Sequence, residues 1–220
     1  MGHPMIPVMI VPVLTRHDLL DRMIMSINYP IKDLIIINNG AKDYDYLPVW
    51  NQWINKIWHM KMPSNLGVAS SWNLGIKSTP MSDYWLISNF DIEWGGDSLK
   101  MFAESSKPDK LLLSNGAPNW CAFSVGWKII DQVGLFDEGL HPAYFEDNDY
   151  ERRIKALNLN IEQSFIPIAH DNSSTLKAGY QNRNDQTYED NMNYYNNKVK
   201  CGDMSSGEWW IRRRRKNSWD

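Results

Sequence analysis

Three groups of polar residues stand where chemistry is possible. The first is Asn89-Phe90-Asp91, which follows directly on the apolar run Tyr84-Trp85-Leu86-Ile87. An acid at the end of a buried strand is placed to hold a hard cation against a diphosphate, because Mg²⁺ and Mn²⁺ take oxygen ligands and share them with phosphates. The second is Glu146-Asp147-Asn148-Asp149, three acids in four residues behind the aromatic pair Tyr144-Phe145. Like charges so close repel, so the positive end of a helix must help hold them, and a carboxylate tuned by such neighbours can serve as a general base. The third is His170, which ends an apolar stretch as Asp91 does, so that both could reach one metal. Each has a plainer reading: Asp91 as a turn residue, Asp147 or Asn148 as a helix N-cap, His170 as a satisfied core histidine.

The elements that must position these groups alternate between strand and helix. Met5 to Val13 is β-rich and ends in the polar turn Leu14-Thr15-Arg16, after which His17 to Asn28 carries Leu20, Met23, Ile24 and Ile27 at helical spacing. Leu34-Ile35-Ile36-Ile37 reads as a second buried strand, closed by Asn38-Asn39-Gly40. Strand, helix and strand in this order predict a parallel βαβ unit. The stripe Leu47, Trp50, Trp53, Ile54, Ile57 predicts a helix over Tyr46 to Ile57, with a short strand over Trp58 to Met62. Asn65 to Lys77 combines glycines and small residues that suit a backbone passing close to a ligand before it enters a helix; Asn73 and Gly75 lower helix propensity there and need a packing or functional reason.

Beyond the central strand the pattern predicts a helix over Asp97 to Glu104 and strands over Lys110 to Ser114 and Trp120 to Val125. Helices follow over Lys128 to Val133 and Glu151 to Leu157, then one last strand within Asn160 to Ala169 that delivers His170. From Asp171 the chain is polar and rich in Asn and Tyr, which predicts a mobile lid or acceptor loop through about Asp190 and a helix near Met192 to Val199.

Composition excludes several classes. The chain has 220 residues, enough for a substantial core, and a net charge of −3, so it is not a basic nucleic-acid binder as a whole. Its final stretch, Glu208 to Asp220, has five basic and two acidic residues and so carries +3, which leaves −6 on the remainder. Two cysteines argue for a reducing compartment or indifference to it. No apolar run reaches the roughly 18 residues of a membrane span. Met5 to Leu14 is broken by prolines and lacks a signal-peptide pattern, so the simplest reading is a soluble cytoplasmic protein. Eleven tryptophans and ten tyrosines leave rings for stacking on a sugar or a base.

The order of these motifs resembles the inverting family 2 glycosyltransferases of the GT-A fold, nearest to the rhamnosyltransferase-like branch, over most of Ile6 to His170. The resemblance implies a single GT-A, Rossmann-like α/β domain over 1–178, with a mostly parallel central sheet flanked by helices. Residues 179–220 would be a C-terminal helical and basic extension. It implies a nucleoside-diphosphate sugar donor, UDP-sugar first, bound by Pro12, Leu14, Thr15 and Arg16 after the first strand and by Asn38, Asn39 and Gly40 after the second. Asn65, Gly67, Trp72 and Asn73 resemble the family's paired Asn-x-Gly segments beside the donor. Asn38 stands where an Asp is common in the family. Asn89-Phe90-Asp91 resembles the DxD motif in an Asn-x-Asp form, so Asp91 with His170 would hold Mn²⁺ or Mg²⁺ and Asn89 would contact metal-bound water or donor. Gly134-Leu135-Phe136-Asp137-Glu138 and Glu146-Asp147-Asn148-Asp149 resemble two further family segments, with Asp147 the catalytic base and Glu146 orienting base or acceptor.

For the acceptor, Trp120, Glu146, Asp149, Arg212 and Arg213 are the candidate contacts. The tail Trp209 to Trp219 lies outside the resemblance. A basic run with aromatics suits nucleic acid, as in an enzyme glycosylating a hydroxymethylated base of phage-type DNA, or an anionic membrane surface, or a solvated tail. The competing functions are a non-catalytic sugar-nucleotide or nucleic-acid binding module on the same fold and a nucleotidyltransferase. The latter needs a glycine-rich, lysine-bearing loop after the first strand, and Thr15-Arg16-His17 is not one.

Overall fold

A computed structural model describes residues 4–40, 51–115, 120–171 and 181–206. Near-continuous apolar runs form a seven-stranded mixed sheet because both of its faces are covered. Its strands are β1 (Ile6–Val13), β2 (Ile31–Asn38), β3 (Ile54–Lys61), β4 (Tyr84–Ser88), β6 (Leu111–Ser114), β7 (Ala122–Gly126) and β8 (Ile161–Ser164), in the order β3-β2-β1-β4-β7-β6-β8. β1 pairs in parallel with β2 and β4, β2 with β3, and β6 with β8, whereas β7 runs antiparallel to both of its neighbours. A second, two-stranded sheet joins β5 (Ile92–Trp94) to β9 (Ile168–His170).

Successive side chains of a strand point to opposite faces, and the two halves of the core divide on that basis. Leu34 and Ile36 join Leu20, Met23 and Ile24 of α1 (His17–Ser26) and Leu99 and Phe102 of α3 (Ser98–Ser105). Ile35 and Ile37 pack with Trp72 and Ile76 of α2 (Val68–Ser78), Ile129 and Ile130 of α4 (Trp127–Val133), and Tyr150 and Ile154 of α5 (Glu146–Ala156). Gly75 has a packing reason: a Cβ there would lie 2.7 Å from three carbons of the Ile10 side chain, so α2 rests on β1 only because the residue is glycine.

Several expectations are corrected. Residues 46–50 of the expected helix over Tyr46 to Ile57 lie outside the described residues, and the rest is a turn leading into β3. Asn51 makes that turn, donating from Nδ2 to the carbonyls of Ile24 and Ile27, both at 2.8 Å, and accepting from the Trp53 amide at 2.9 Å. Once the chain is tied to the end of α1, ladder pairing from Ile31↔Ile54 to Asn38↔Lys61 outweighs the helical spacing of Ile54 and Ile57. α5 begins at Glu146, five residues before the expected start, so the acid cluster forms its first turn. The single last strand is two. β8 ends at Ser164 beside β6, Pro167 has no amide to donate to a ladder, and β9 then pairs with β5. The expected lid is helical from its second half: α6 (Gln181–Cys201) replaces loop and short helix alike, because Asn191 and Lys198 are buried against the loop before α5. Residues 172–180 and the Trp/Arg tail lie outside the described residues.

Candidate active site

Strand order changes direction between β1 and β4: β2 and β3 lie on one side of β1, and β4 opens the other. Ligands of open α/β sheets collect at the carboxyl ends of strands flanking such a switch point. Pro12 lies opposite Ile37, one pair before the β1 ladder ends at Val13↔Asn38, and half-buried Leu14 and Thr15 with exposed Arg16 form the turn into α1. Arg16 is left-handed (φ 54°), and its guanidinium grips Asp18 at 2.9 and 2.7 Å. Gly40 passes so close to this turn that a Cβ would lie 2.4 Å from the Leu14 carbonyl oxygen. The Asn39 amide donates to the Val13 carbonyl (2.8 Å), and the Gly40 amide donates to Asn38 Oδ1 (2.9 Å).

Asn39 ties in a third loop. Its Oδ1 accepts from the Leu66 amide (3.1 Å) and its Nδ2 donates to Ser71 Oγ (2.8 Å). Asn65 Oδ1 accepts from the Gly67 amide at 2.9 Å, while the His141 ring lies 3.1 Å from the Asn65 carbonyl oxygen. Gly67 has φ 81°, and a Cβ there would lie 2.8 Å from the Pro142 carbonyl, so the loop needs glycine on two counts. The loops after β1, β2 and β3 thus form one clasped edge.

Asp91, in the turn between β4 and β5, and His170, at the end of β9, are brought together by the two-stranded sheet. The ladder places His170 opposite Ile92, and the Asp171 amide donates to the Asp91 carbonyl at 3.0 Å. Asp91 Oδ1 then lies 3.2 Å from His170 Nε2, with Asn89 Nδ2 3.4 Å from the same ring nitrogen. Both side chains are nearly buried, and His170 Nδ1 is buried with no hydrogen-bond partner. Adjacent ligands of an octahedral cation at about 2.1 Å lie about 3 Å apart, which the Asp91–His170 separation matches. Among the described residues no group of three His, Cys, Asp or Glu gathers into a metal centre. The residues therefore fit a cation that takes its remaining ligands from phosphate and water, as Mg²⁺ does and as an oxygen-seeking Mn²⁺ can.

The acid cluster separates into unlike members. Tyr144 and Phe145 have φ 82° and 71°, and this left-handed pair turns the chain into α5 with Glu146, Asp147 and Asp149 in the first turn. Burial, with repulsion from Asp147 second, pushes the Glu146 carboxyl up to about 8, and its Oε2 is buried without a partner. Asp147 is half-buried; burial raises it too, against the Asn148 amide, which donates to its Oδ1 at 2.8 Å. Two adjacent carboxyls in low dielectric cannot both ionise readily, so at neutral pH Glu146 holds a proton.

Other expected site residues have plainer occupations. Asp149 is fully buried and pairs with Arg153 (2.7 Å), Lys198 (3.0 Å) and Arg152 (3.3 Å), which ties α5 to α6. Trp72 is core, edge-on to Phe123 and Phe136. Asn73 is buried, donating to the Phe136 carbonyl and Glu138 Oε1, both at 2.9 Å, and accepting from the Phe136 amide at 3.0 Å. It fixes the loop after α4. Trp120 packs on Phe123 and donates to Glu151 at 3.0 Å. Arg212 and Arg213 lie outside the described residues. The sequence reading missed Asn191 and Lys198, because a helical Asn or Lys carries no local sign of burial.

No protein-family profile matches the chain, and no curated protein sequence matches it. Solved structures do. S. aureus TarS superposes with a TM-score of 0.56 at 15% identity, over 73% of this chain and 35% of TarS. The catalytic domain of Drosophila β1,4-galactosyltransferase 7, solved with xylobiose, gives 0.51 at 13% identity over 77% of this chain and 71% of that one. GalNAc-T7, solved with UDP, GalNAc and Mn²⁺, gives 0.60 at 9% identity over 75% and 43%. The chain spans about a third of the length of TarS. At these identities the likeness is one of fold: the mostly parallel seven-stranded sheet flanked by helices is the GT-A arrangement of these glycosyltransferases. Among the described residues no helix is long and apolar enough to cross a membrane.

Proposed function

We propose that this chain is a metal-dependent inverting glycosyltransferase that moves a sugar from a nucleoside-diphosphate donor, UDP-sugar in the first instance, to an acceptor hydroxyl. The observation that carries the reading is the convergence of Asp91 and His170, 3.2 Å apart, beside the switch point of the sheet. The fold adds support, since neighbours were solved with UDP, with UDP and Mn²⁺, or with a disaccharide.

Asp91 and His170 would hold the cation, with Asn89 beside them, and an imidazole in the set suits Mn²⁺ better than Mg²⁺. Bound there, a divalent cation offsets the charge that develops on the leaving diphosphate. The remaining steps belong to the chain's own groups. The clasped loops of Leu14–Arg16, Asn38–Gly40 and Asn65–Gly67 form the wall for the nucleotide. Asp147 takes the proton of the acceptor hydroxyl as its oxygen attacks the anomeric carbon opposite the diphosphate, and this single displacement inverts that centre. Glu146, neutral at physiological pH, donates a hydrogen bond to the acceptor or to Asp147 rather than competing for the proton. An oligosaccharide hydroxyl is the acceptor we adopt; a nucleic-acid acceptor has no described residue in its favour.

The test is release of nucleoside diphosphate from a panel of nucleotide sugars by the purified chain, with Mn²⁺ and with chelator. Metal-dependent release from one donor, lost in Asp91→Ala, is the expected result. No release from any donor, together with no thermal shift on donor addition, would overturn it in favour of a binding module. Net synthesis of a sugar nucleotide from a sugar phosphate would favour a nucleotidyltransferase.

A further inference from the structure

The left-handed Tyr144–Phe145 pair is the unusual backbone feature nearest the acid pair. Two consecutive bulky residues at positive φ persist only where surrounding structure over-determines them. What surrounds them is α6. Asn191, buried, donates from Nδ2 to the Ala143 carbonyl at 2.6 Å and lies 3.5 Å from the Tyr144 carbonyl oxygen. Tyr195 stacks on Phe145, with centroids 5.5 Å apart and planes 22° from parallel, and Tyr188 packs against both Tyr144 and Phe145.

One turn further along α6, Lys198 reaches both sides of the loop that carries the acids. Its ammonium bonds Asp137, which precedes the loop, and Asp149, which follows it (3.0 Å to the latter), and donates to the Ser205 carbonyl at 2.8 Å. Tyr194 adds its hydroxyl to Asp137 at 3.3 Å. Both aspartates are fully buried; Lys198 is the cation that pairs with Asp137 and shares Asp149 with Arg152 and Arg153, so its place fixes the spacing of the loop's two ends.

We propose that Asn191 and Lys198 are positioning residues: α6 holds the Tyr144–Phe145 turn in its left-handed form and thereby sets Asp147 and Glu146 against the acceptor. The proposal rests on the reading of Asp147 as the acceptor base. α6 is thus part of the catalytic apparatus, acting through the loop without touching substrate. A strut of this kind acts on the geometry of attack and leaves donor binding alone.

The experiment compares wild-type chain with Asn191→Leu and Lys198→Met by amide hydrogen exchange and by steady-state transfer kinetics. Lys198→Met strips buried Asp137 of its cation, Asp149 keeping Arg152 and Arg153, and is the variant at risk of not folding; Asn191→Leu keeps size and loses only the amide. In Asn191→Leu, amides of Tyr144 to Asn148 are expected to exchange faster while those of β1, β2 and β4 are unchanged. kcat is expected to fall about 10²-fold, the cost of an ångström-scale misplacement, with KM for the donor within about twofold. A purely structural role would lower the active fraction or move donor KM together with kcat, and that pattern overturns the proposal. Unchanged exchange at Tyr144 to Asn148 in Asn191→Leu overturns it too. If the wild-type chain turns over no donor, the glycosyltransferase reading has failed, and the exchange data still decide whether α6 holds the turn.

Discussion

Glu146→Gln isolates the energetic consequence of burying a carboxyl beside a carboxylate. In the unfolded chain Glu146 ionises near the ordinary 4.5, whereas in the fold it holds its proton up to about 8. Between those values the native state binds a proton that the unfolded state has released. Stability therefore falls as pH rises through that window and is flat above it. At about 1.36 kcal/mol per pH unit the full penalty is about 5 kcal/mol. Relaxation of the site around a charged carboxyl lowers this, to about 2 kcal/mol at the least. Glutamine keeps the shape, stays neutral at every pH and escapes the penalty.

The variant should thus be nearly as stable as wild type at about pH 4.5, and more stable by about 2–5 kcal/mol at about pH 9. Urea unfolding followed by tryptophan fluorescence at several pH values measures this directly, with the difference between the two proteins plotted against pH. A difference that is flat from acid to alkaline pH would refute the reasoning, since Glu146 would then ionise alike in both states. A difference of the opposite sign would mean that the buried carboxylate is stabilised by a cation or a donor. Activity gives an independent reading. On the proposed reading Glu146 is the neutral partner, so Glu146→Gln should retain transfer at neutral pH and extend it to more alkaline pH.

Asp147→Asn should lower transfer by about 10²–10⁴-fold, the usual contribution of a positioned base, while far-ultraviolet circular dichroism and donor thermal shift stay as in wild type. His170→Ala should raise the Mn²⁺ concentration needed for half-maximal donor hydrolysis by about tenfold or more, read by titration into chelator-treated protein. Gly67→Ala adds a Cβ 2.8 Å from the Pro142 carbonyl at φ 81° and should cost about 1–3 kcal/mol in denaturant unfolding. No change in midpoint would show that the loop relaxes without strain.

Sequence pattern made the strands legible because both faces of the sheet are covered. The apolar runs at Ile6 to Val13, Leu34 to Ile37 and Tyr84 to Ile87 are strands, and the residues after each are the loops that meet at the switch point. Asp91 and His170 were readable as strand-end residues, and their meeting follows from the β5–β9 ladder, which links residues about 80 positions apart. Edges were less legible. β3 is half-exposed along its length, so Ile54 and Ile57 mimic a helical stripe, and only the Asn51 bonds to the end of α1 decide otherwise. α6 is polar on most of its surface, and its attachment through Asn191 and Lys198 depends on buried aspartates supplied by distant loops.

A common device underlies those failures. An asparagine side chain both donates and accepts, so one residue can bind a carbonyl on one segment and an amide on another, as a strand would, without any strand being there. Asn39 joins the loop after β2 to the Asn65–Gly67 loop and to Ser71 in this way. Asn73 joins α2 to the loop after α4, and Asn51 joins α1 to β3. Aspartate at these positions would lose the donors and place a buried charge against the carbonyls. Charge serves the same end where it is paired: Lys198 meets buried Asp137 and Asp149, so the loop that carries Asp147 is fixed by ion pairs together with the Asn191 amide.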